Sequence, residues 1–265
     1  MNVGVYKDEQ RIGQAAASVF AAQVISKPDS VLGLATGSSP IPVYNCLIEM
    51  YKKGIIDFSK VTTFNLDEYI GLTHEHPQSY YYFMQKNLFC GININEDAVH
   101  VPCGTAEDID SEGVNYDKMI DAAGGIDVQI LGIGNNGHIA FNEPGSSLTS
   151  RTRMKTLTLD TKIANSRFFG GDINQVPETA LTVGVGTIMS AKSVLIIVNG
   201  YNKARALQQG VEGAVSQMWT ITALQLHEKA IIVADEAATM ELKVGTYKYF
   251  KDIEGKNLDP DTLLK

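Results

Sequence analysis

Short apolar runs alternate with segments of helical periodicity along most of this chain. The apolar runs, which include V-L-I-I-V and A-I-I-V-A, lie at residues 31–36, 61–66, 128–133, 194–198 and 230–234. Helical patterns cover residues 9–26, 42–53, 78–89, 111–123, 203–212 and 236–250. Nearly continuous apolar strands separated by helices are typical of a parallel sheet covered on both faces. The pattern therefore predicts an open, doubly wound, Rossmann-like α/β fold with a mostly parallel sheet.

The alternation is interrupted between residues 146 and 183, where Ser, Thr, Arg, Asn and Gly are frequent. That composition is typical of a surface segment that leaves the sheet. No repeat, linker or low-complexity tract divides the chain elsewhere. We therefore expect a single α/β domain over residues 1–265, with a mobile lid at about 150–183.

The formal net charge of the 265 residues is −8. An acidic protein is a poor partner for nucleic acid or for an anionic membrane surface, although a few cations and backbone amides can still hold a small anion.

The three cysteines, Cys46, Cys90 and Cys103, match no zinc motif. The N-terminus lacks the basic and apolar regions of a signal peptide, and no apolar run is long enough to span a bilayer. These features predict a reduced, cytoplasmic protein.

Three polar clusters follow apolar strands, at the edge of the sheet where open α/β folds bind ligands. The first, A-T-G-S-S-P, contains Gly37, Ser38 and Ser39 between a strand and a helix. Hydroxyls and free helix amides suit a phosphate, whereas the alternative is a turn with a serine helix cap. No lysine follows Gly37, so the cluster is not a P-loop. Arg167 and Lys203 are candidate cations for the same anion, with solvated surface cations as the alternative.

The second cluster holds the adjacent carboxylates Asp67 and Glu68 at a strand end. Neighbouring side chains on a strand point in opposite directions, so we expect one carboxylate to enter the site as a proton-transfer base and the other to be structural. A solvated acidic turn is the alternative.

The third cluster, G-I-G-N-N-G-H-I-A-F-N-E-P, spans residues 132–144. Its glycines permit a tight loop, from which His138 and Glu143 emerge. A histidine moves protons near neutral pH, and a nearby carboxylate orients it. The alternative is a buried histidine whose hydrogen bonds are satisfied. The glycine spacing is a poor match to a dinucleotide motif.

The motifs L-D-E-Y-I-G-L (66–72) and G-N-N-G-H-I-A-F-N-E-P (134–144) closely resemble those of glucosamine-6-phosphate deaminases. The likeness continues through A-T-G-S-S-P (35–40), S-L-T-S-R-T-R (147–153), N-S-R-F-F (165–169), Q-V-P-E-T-A-L-T-V-G-V-G-T (175–187), V-E-G-A-V-S-Q-M-W-T (211–220) and A-T-M-E-L-K-V (238–244). It runs in colinear order along essentially the whole chain.

The resemblance implies a hydrolase of amino-sugar catabolism that converts glucosamine 6-phosphate to fructose 6-phosphate and ammonia. By match to the family's motifs, Asp67 moves a proton between C2 and C1, His138 opens the sugar ring, and Glu143 supports His138. The residues that would bind the phosphate are Gly37, Ser38, Ser39, Arg167 and Lys203, with Arg167 on the lid. The resemblance implies neither a metal nor an organic cofactor.

One departure from the family concerns Asn136, where many members have Asp. An amide cannot take up or release a proton in this range, so Glu143 must carry more of the polarisation of His138. Asn136 remains a site residue that orients His138 or a sugar hydroxyl.

Some bacterial members form hexamers activated by N-acetylglucosamine 6-phosphate. The positions that match their effector site are Ser146, Arg153, Lys155 and Tyr249, but the N-terminus M-N-V-G-V departs from theirs.

Two other functions stay open: a different sugar-phosphate enzyme of this fold, such as a 6-phosphogluconolactonase or a pentose-phosphate isomerase, and a non-catalytic sugar-phosphate sensor. A DNA-binding sensor should carry a basic helix pair, which an acidic chain such as this does not suggest.

Overall fold

The structure, a computed structural model, describes residues 1–254, and residues 255–265 of the expected domain lie outside the described residues. The described chain contains ten strands: β1 (Asn2–Tyr6), β2 (Val31–Leu34), β3 (Thr62–Asn65), β4 (Asp67–Tyr69), β5 (Val99–His100), β6 (Val128–Leu131), β7 (Arg153–Thr156), β8 (Thr179–Thr182), β9 (Ser193–Val198) and β10 (Ala230–Asp235). Its α-helices are α1 (Glu9–Ser26), α2 (Ile41–Lys52), α3 (Tyr80–Asn87), α4 (Ile109–Ala122), α5 (Leu159–Ser166), α6 (Val185–Met189), α7 (Ala204–Glu212) and α8 (Val244–Glu254).

Seven of the strands form the central sheet, in the order β1-β10-β9-β6-β2-β3-β5. Every neighbouring pair in this sheet is parallel, and helices surround it. The predicted α/β class is therefore confirmed. The central strands are buried along nearly their whole length, because helices cover both faces of the sheet. The carboxyl ends of β2, β3, β6 and β9 consequently lie along one edge.

Helix α1 illustrates how the sequence specifies these elements. The carboxylate of Asp8 accepts a hydrogen bond from the backbone amide of Arg11 at 2.9 Å and caps the first turn. The buried face of the helix carries Ile12, Phe20 and Val24, together with three consecutive alanines. Small side chains allow α1 to pack closely on α2 and on strands of the sheet. No helix within residues 1–254 combines the length and apolarity that crossing a membrane requires.

A second, antiparallel sheet of three strands, in the order β4-β8-β7, lies outside the central one. The segment with irregular composition supplies β7, α5 and β8, so it does leave the central sheet as expected. Strand β7 reads R-M-K-T with alternating half-buried and exposed residues, and β4 is only D-E-Y. Such short, polar strands carry too little pattern to be predicted from the sequence.

The helix predicted over residues 236–250 is wrong as a single element. A short 3₁₀ turn covers Ala237–Thr239, and α8 begins only at Val244. The carboxylate of Asp235 accepts a hydrogen bond from the backbone amide of Ala238 at 2.7 Å, which closes a tight turn at the end of β10. Tertiary contacts thus override a local helical preference.

Candidate active site

The carboxyl ends of the central strands open onto a cavity of about 1060 Å³. Eight of the predicted site residues line it: Gly37, Ser38, Ser39, Asp67, Asn136, His138, Arg167 and Lys203. Glu143 lies behind His138 and is buried. Gly37, Ser38 and Ser39 follow β2, and Asn136, His138 and Glu143 follow β6, so parallel strands bring these two loops to one edge.

The loop after β2 forms one wall of the cavity. The phenol of Tyr44 donates a hydrogen bond to the backbone oxygen of Ala35 at 2.6 Å and anchors the base of this loop. Ser39 donates from Oγ to Oδ1 of Asn199 at 3.1 Å, which joins the loops after β2 and β9. The N-cap residue of α2 is Pro40, and no side chain caps this helix. The alternative of a serine cap is therefore not observed.

Asp67 and Glu68 point to opposite sides of β4. Asp67 is 6% exposed and faces the cavity. The carboxylate of Glu68 accepts hydrogen bonds from the backbone amides of Tyr69 at 2.8 Å and of Tyr80 and Tyr81 at 3.0 Å. Glu68 therefore holds the start of α3, where a carboxylate interacts favourably with free helix amides. Only Asp67 is available to a ligand.

The environment of Asp67 favours its protonated form. Burial, and then the charge of Glu68, raise the pKa of Asp67 to about 8. Burial likewise raises the pKa of Glu68, against which its three backbone hydrogen bonds act. A carboxyl group whose pKa lies near neutral pH can both accept and return a proton, which is what a base that shuttles one proton requires.

The loop after β6 holds the imidazole of His138 in place. A Cβ atom on Gly134 would lie 2.3 Å from Cε1 of His138, so only glycine leaves room for the ring. Gly137 has φ +77, and a Cβ atom there would lie 2.4 Å from Cε3 of Trp219. Both glycines are thus needed for this arrangement of the backbone and His138.

Glu143 lies at the centre of a hydrogen-bonded cluster behind His138. Its Oε2 lies 3.3 Å from Nδ1 of His138, at ion-pair distance, and accepts a hydrogen bond from Nδ2 of Asn136 at 3.0 Å. Its Oε1 accepts hydrogen bonds from the hydroxyls of Thr161 at 2.5 Å and Thr158 at 3.2 Å. Burial raises the pKa of Glu143, but His138, Thr161 and Asn136 outweigh it and lower the pKa to about 2. Glu143 is therefore ionised at neutral pH.

Arg167 and Lys203 lie together at another part of the cavity wall. Arg167 immediately follows α5, and Lys203 immediately precedes α7. Burial, and then the charge of Arg167, lower the pKa of Lys203 to about 8. Neither cation pairs with a carboxylate among residues 1–254, so their combined charge is available to an anion.

The profile of the family described as "Glucosamine-6-phosphate isomerases/6-phosphogluconolactonase" matches residues 7–233. This chain belongs to the glucosamine-6-phosphate isomerase/6-phosphogluconolactonase family. Among its relatives, the glucosamine-6-phosphate deaminase of Bacteroides thetaiotaomicron is 58% identical over all of both chains. That of Porphyromonas gingivalis is 63% identical over 90% of both chains.

Solved structures in this family resemble the chain to different degrees. A glucosamine-6-phosphate deaminase described as monomeric is 40% identical and superposes with a TM-score of 0.88, covering 90% of this chain and 98% of its own. The 6-phosphogluconolactonase of Trypanosoma cruzi is 17% identical, with a TM-score of 0.72 over 91% of this chain and 97% of its own. The second comparison shows a shared fold alone.

In this member of the glucosamine-6-phosphate isomerase/6-phosphogluconolactonase family, the four predicted effector residues lie outside the cavity lining. Arg153 donates a hydrogen bond to Oδ1 of Asn142 at 2.8 Å, Lys155 lies two residues further along β7, and Ser146 is buried. Tyr249 is 59% exposed on α8, which packs on β1. Within residues 1–254, no hydrogen bond or ion pair joins Tyr249 to the other three.

Sequence reasoning did not single out the residues that α5 contributes to this family member's site. Thr158 and Thr161 contact Glu143, and Nδ2 of Asn165 donates a hydrogen bond to the phenol oxygen of Tyr69 at 2.9 Å. Tyr80 also lines the cavity. The threonines follow a helix-capping pattern, but that pattern does not reveal which carboxylate they meet.

Proposed function

We propose that this chain isomerises and deaminates glucosamine 6-phosphate to fructose 6-phosphate and ammonia, as a hydrolase of amino-sugar catabolism. Relatives that carry this activity in their names are 58–63% identical over nearly the whole chain. The observation that carries the proposal is one cavity with a buried aspartate, a histidine–glutamate pair and two unpaired cations. The chemistry of this sugar phosphate needs each of these groups.

Phosphate binding is the first step. Arg167 and Lys203 attract the dianion, and the loop at Gly37, Ser38 and Ser39 supplies hydroxyl and amide donors. An anchored phosphate turns a reaction between separate molecules into one at fixed geometry. The amino-bearing end of the sugar is then held beside Asp67 and His138.

His138 opens the sugar ring. Its imidazole takes the proton of the C1 hydroxyl and delivers a proton to the ring oxygen as the bond between C1 and that oxygen breaks, which gives the open-chain aldehyde. The ionised Glu143 stabilises the positive charge of the protonated His138 imidazole, and Asn136 keeps the carboxylate oriented towards that imidazole.

Isomerisation falls to Asp67, which removes the proton from C2 and returns it to C1. The electron pair of the broken C2–H bond forms the C1=C2 double bond of an enolamine while the C1 oxygen takes a proton from water. Return of the first proton from Asp67 to C1 then leaves a protonated imine at C2. Water adds to the imine carbon, and ammonia departs as the ketone forms. The pKa of about 8 at Asp67 suits a group that must give back the proton it takes.

We further propose that residues 1–265 work as one domain and that residues 150–183 close over bound substrate as a lid. Eight residues of that segment line the cavity: Asp160, Thr161, Ile163, Ala164, Asn165, Arg167, Phe168 and Phe169. The described cysteines are free thiols, which supports a reducing location such as the cytoplasm.

An effector site for N-acetylglucosamine 6-phosphate is a separate proposal. Tyr249 lies on α8 and Arg153 and Lys155 lie on β7, and the proposal includes a homo-oligomer in which one copy supplies Tyr249 and another supplies Arg153 and Lys155. Gel filtration, together with saturation curves with and without the acetylated sugar, tests both the homo-oligomer and the activation.

A coupled assay for ammonia and fructose 6-phosphate tests the main proposal. We expect turnover of glucosamine 6-phosphate and no hydrolysis of 6-phosphogluconolactone. A lactonase would show the reverse, and a sensor would bind the sugar phosphate without releasing ammonia. The lactonase is the weaker candidate, because the lactonases of Trypanosoma cruzi, Thermotoga maritima and Plasmodium vivax are 17–19% identical to this chain whereas a solved deaminase is 40% identical.

A further inference from the structure

Helix α5 reaches both functional ends of the cavity. Its N-cap residue is Thr158, its first turn contains Thr161, and Arg167 follows its last residue. Eight helical residues span about 12 Å, which is comparable to the length of a hexose phosphate. The same rigid element thus carries a phosphate-site cation at one end and two hydroxyls at the other.

Those two hydroxyls contact the carboxylate that supports His138. Both donate to Oε1 of Glu143, Thr161 at 2.5 Å and Thr158 at 3.2 Å. The other oxygen, Oε2, faces Asn136 and His138. Since each oxygen has its own partners, the carboxylate can rotate only by breaking these contacts. Thr161 is itself buried, so water does not replace its hydroxyl easily.

Further contacts tie α5 to the second sheet. Asn165 donates to the phenol oxygen of Tyr69, the residue two positions after Asp67. Lys162 pairs with Glu178 at 3.7 Å, next to β8. These contacts help to fix where α5 lies and, with it, the Thr161 hydroxyl.

We propose that Thr161 is a positioning residue for the His138–Glu143 pair. Its hydroxyl, carried on the helix that ends beside Arg167, holds Oε1 of Glu143 and so keeps Oε2 directed at His138. The inference rests on the proposed deaminase function and adds a residue that supports its ring-opening step.

The test compares Thr161→Val, which removes the hydroxyl at nearly constant shape, with Thr161→Ser, which keeps it. We expect Thr161→Val to lower kcat about tenfold, the usual effect of losing one hydrogen bond to a charged group. KM for glucosamine 6-phosphate and the inhibition constant of inorganic phosphate should stay within about twofold. Thr161→Ser should return kcat to within about threefold of wild type.

A double-mutant cycle separates positioning from a general structural role. In a Glu143→Gln background the carboxylate is already gone, so Thr161→Val should lower kcat less than about twofold further. Thr187→Val is the matched control, because Thr187 is buried and donates to the carboxylate of Asp117 at 2.9 Å outside the cavity. It should leave kcat unchanged. Thr161→Ala replaces the valine variant if circular dichroism shows that valine does not fit.

Three results would overturn the inference: wild-type kcat in Thr161→Val, an additive loss in the Glu143→Gln background, or parallel rises in KM and in the phosphate inhibition constant that serine does not correct. The last of these would mean that Thr161 only packs α5. A wild-type chain that releases no ammonia overturns the proposed function as well, whereas an active wild type with an unaffected Thr161→Val overturns this inference alone.

Discussion

Nδ2 of Asn136 donates a hydrogen bond to Oε2 of Glu143 at 3.0 Å, and the same oxygen lies 3.3 Å from Nδ1 of His138. The amide oxygen of Asn136 also accepts a hydrogen bond from the backbone amide of His138 at 3.3 Å. An ionised aspartate at this position would present no donor to Glu143. The asparagine of this chain therefore favours the ionised form of the neighbouring carboxylate.

Asn136→Asp should move the acid limb of the kcat/KM profile to higher pH. The substitution removes a donor that lowers the pKa of Glu143 and adds a second carboxylate, and both changes favour protonation. A rise of about one unit from the Glu143 pKa of about 2 is expected, so the profile is measured from pH 2 upwards. The control is Asn93→Asp, because Asn93 donates to the carboxylate of Asp57 at 2.7 Å away from the cavity. An unshifted profile in Asn136→Asp would show that this amide does not influence the acid/base pair.

Asp67→Asn should abolish exchange of the C2 proton with deuterated water, by at least about a thousandfold. An amide cannot accept that proton, whereas the phosphate site is untouched, so KM should stay within about threefold of wild type. Proton NMR of the substrate in D₂O measures the exchange. Exchange at the wild-type rate would remove Asp67 from the mechanism.

The same substitution should change how stability depends on pH. Because burial and Glu68 raise the folded-state pKa of Asp67 to about 8, the folded protein binds a proton that the unfolded chain releases near its ordinary pKa. Stability from this group is thus full below about pH 4 and is lost as the pH rises towards 8. The Tm of Asp67→Asn minus that of wild type should grow by at least about 3 °C between pH 5 and 8.5. Parallel melting curves across this range would contradict the assigned pKa.

Lys203 should make substrate binding weaken in alkaline solution. Burial, and then Arg167, lower the pKa of Lys203 to about 8, so the amine loses its charge above that pH. KM should rise between pH 7.5 and 9.5, while the substrate phosphate stays a dianion. Lys203→Arg remains charged throughout, so its KM should be nearly flat over the same range. An equal rise in both proteins would assign the effect to another group.

Asp235 should contribute to phosphate binding without touching the substrate. Its Oδ2 accepts a hydrogen bond from the backbone amide of Gly200 at 2.9 Å, in the loop that carries Lys203. In Asp235→Asn an NH₂ group replaces one of the two carboxylate oxygens. This group faces a backbone N–H group, so one of the hydrogen bonds of Asp235 is lost. KM should rise about fivefold, with kcat within about twofold of wild type.

Asp108→Asn is the control for Asp235, because Asp108 accepts a hydrogen bond from the amide of Ser111 at 3.0 Å at the start of α4. It should alter stability alone. A loss of kcat rather than a rise of KM in Asp235→Asn would point to a role beyond holding this loop.

The convergence of the polar clusters was predictable from the sequence. Parallel strands end at the same edge of a sheet, so loops that follow β2, β3 and β6 must meet there. The separate directions of Asp67 and Glu68 were also predictable, because side chains alternate along a strand. The predicted helix over residues 236–250 was wrong as a single element, because a hydrogen bond to Asp235 closes a turn at its start.

The second sheet and the contacts of α5 were not predictable. Strands β4 and β7 are short and polar, and the pairing of β4 with β8 joins residues more than 100 positions apart, as between Asp67 and Thr182. Local periodicity carries no information on such partners. The contact of Thr161 with Glu143 likewise depends on where α5 comes to lie.

The sequence by itself determined the fold class, the family and which side chains meet at the edge of the sheet. Hydrophobic periodicity and motif spacing are local properties that depend only on the order of the residues. Only the tertiary structure decided how those side chains behave. The proton affinities of Asp67, Glu143 and Lys203 arise from burial and from charges brought close by folding, and both effects depend on distances in space that the order of residues does not contain.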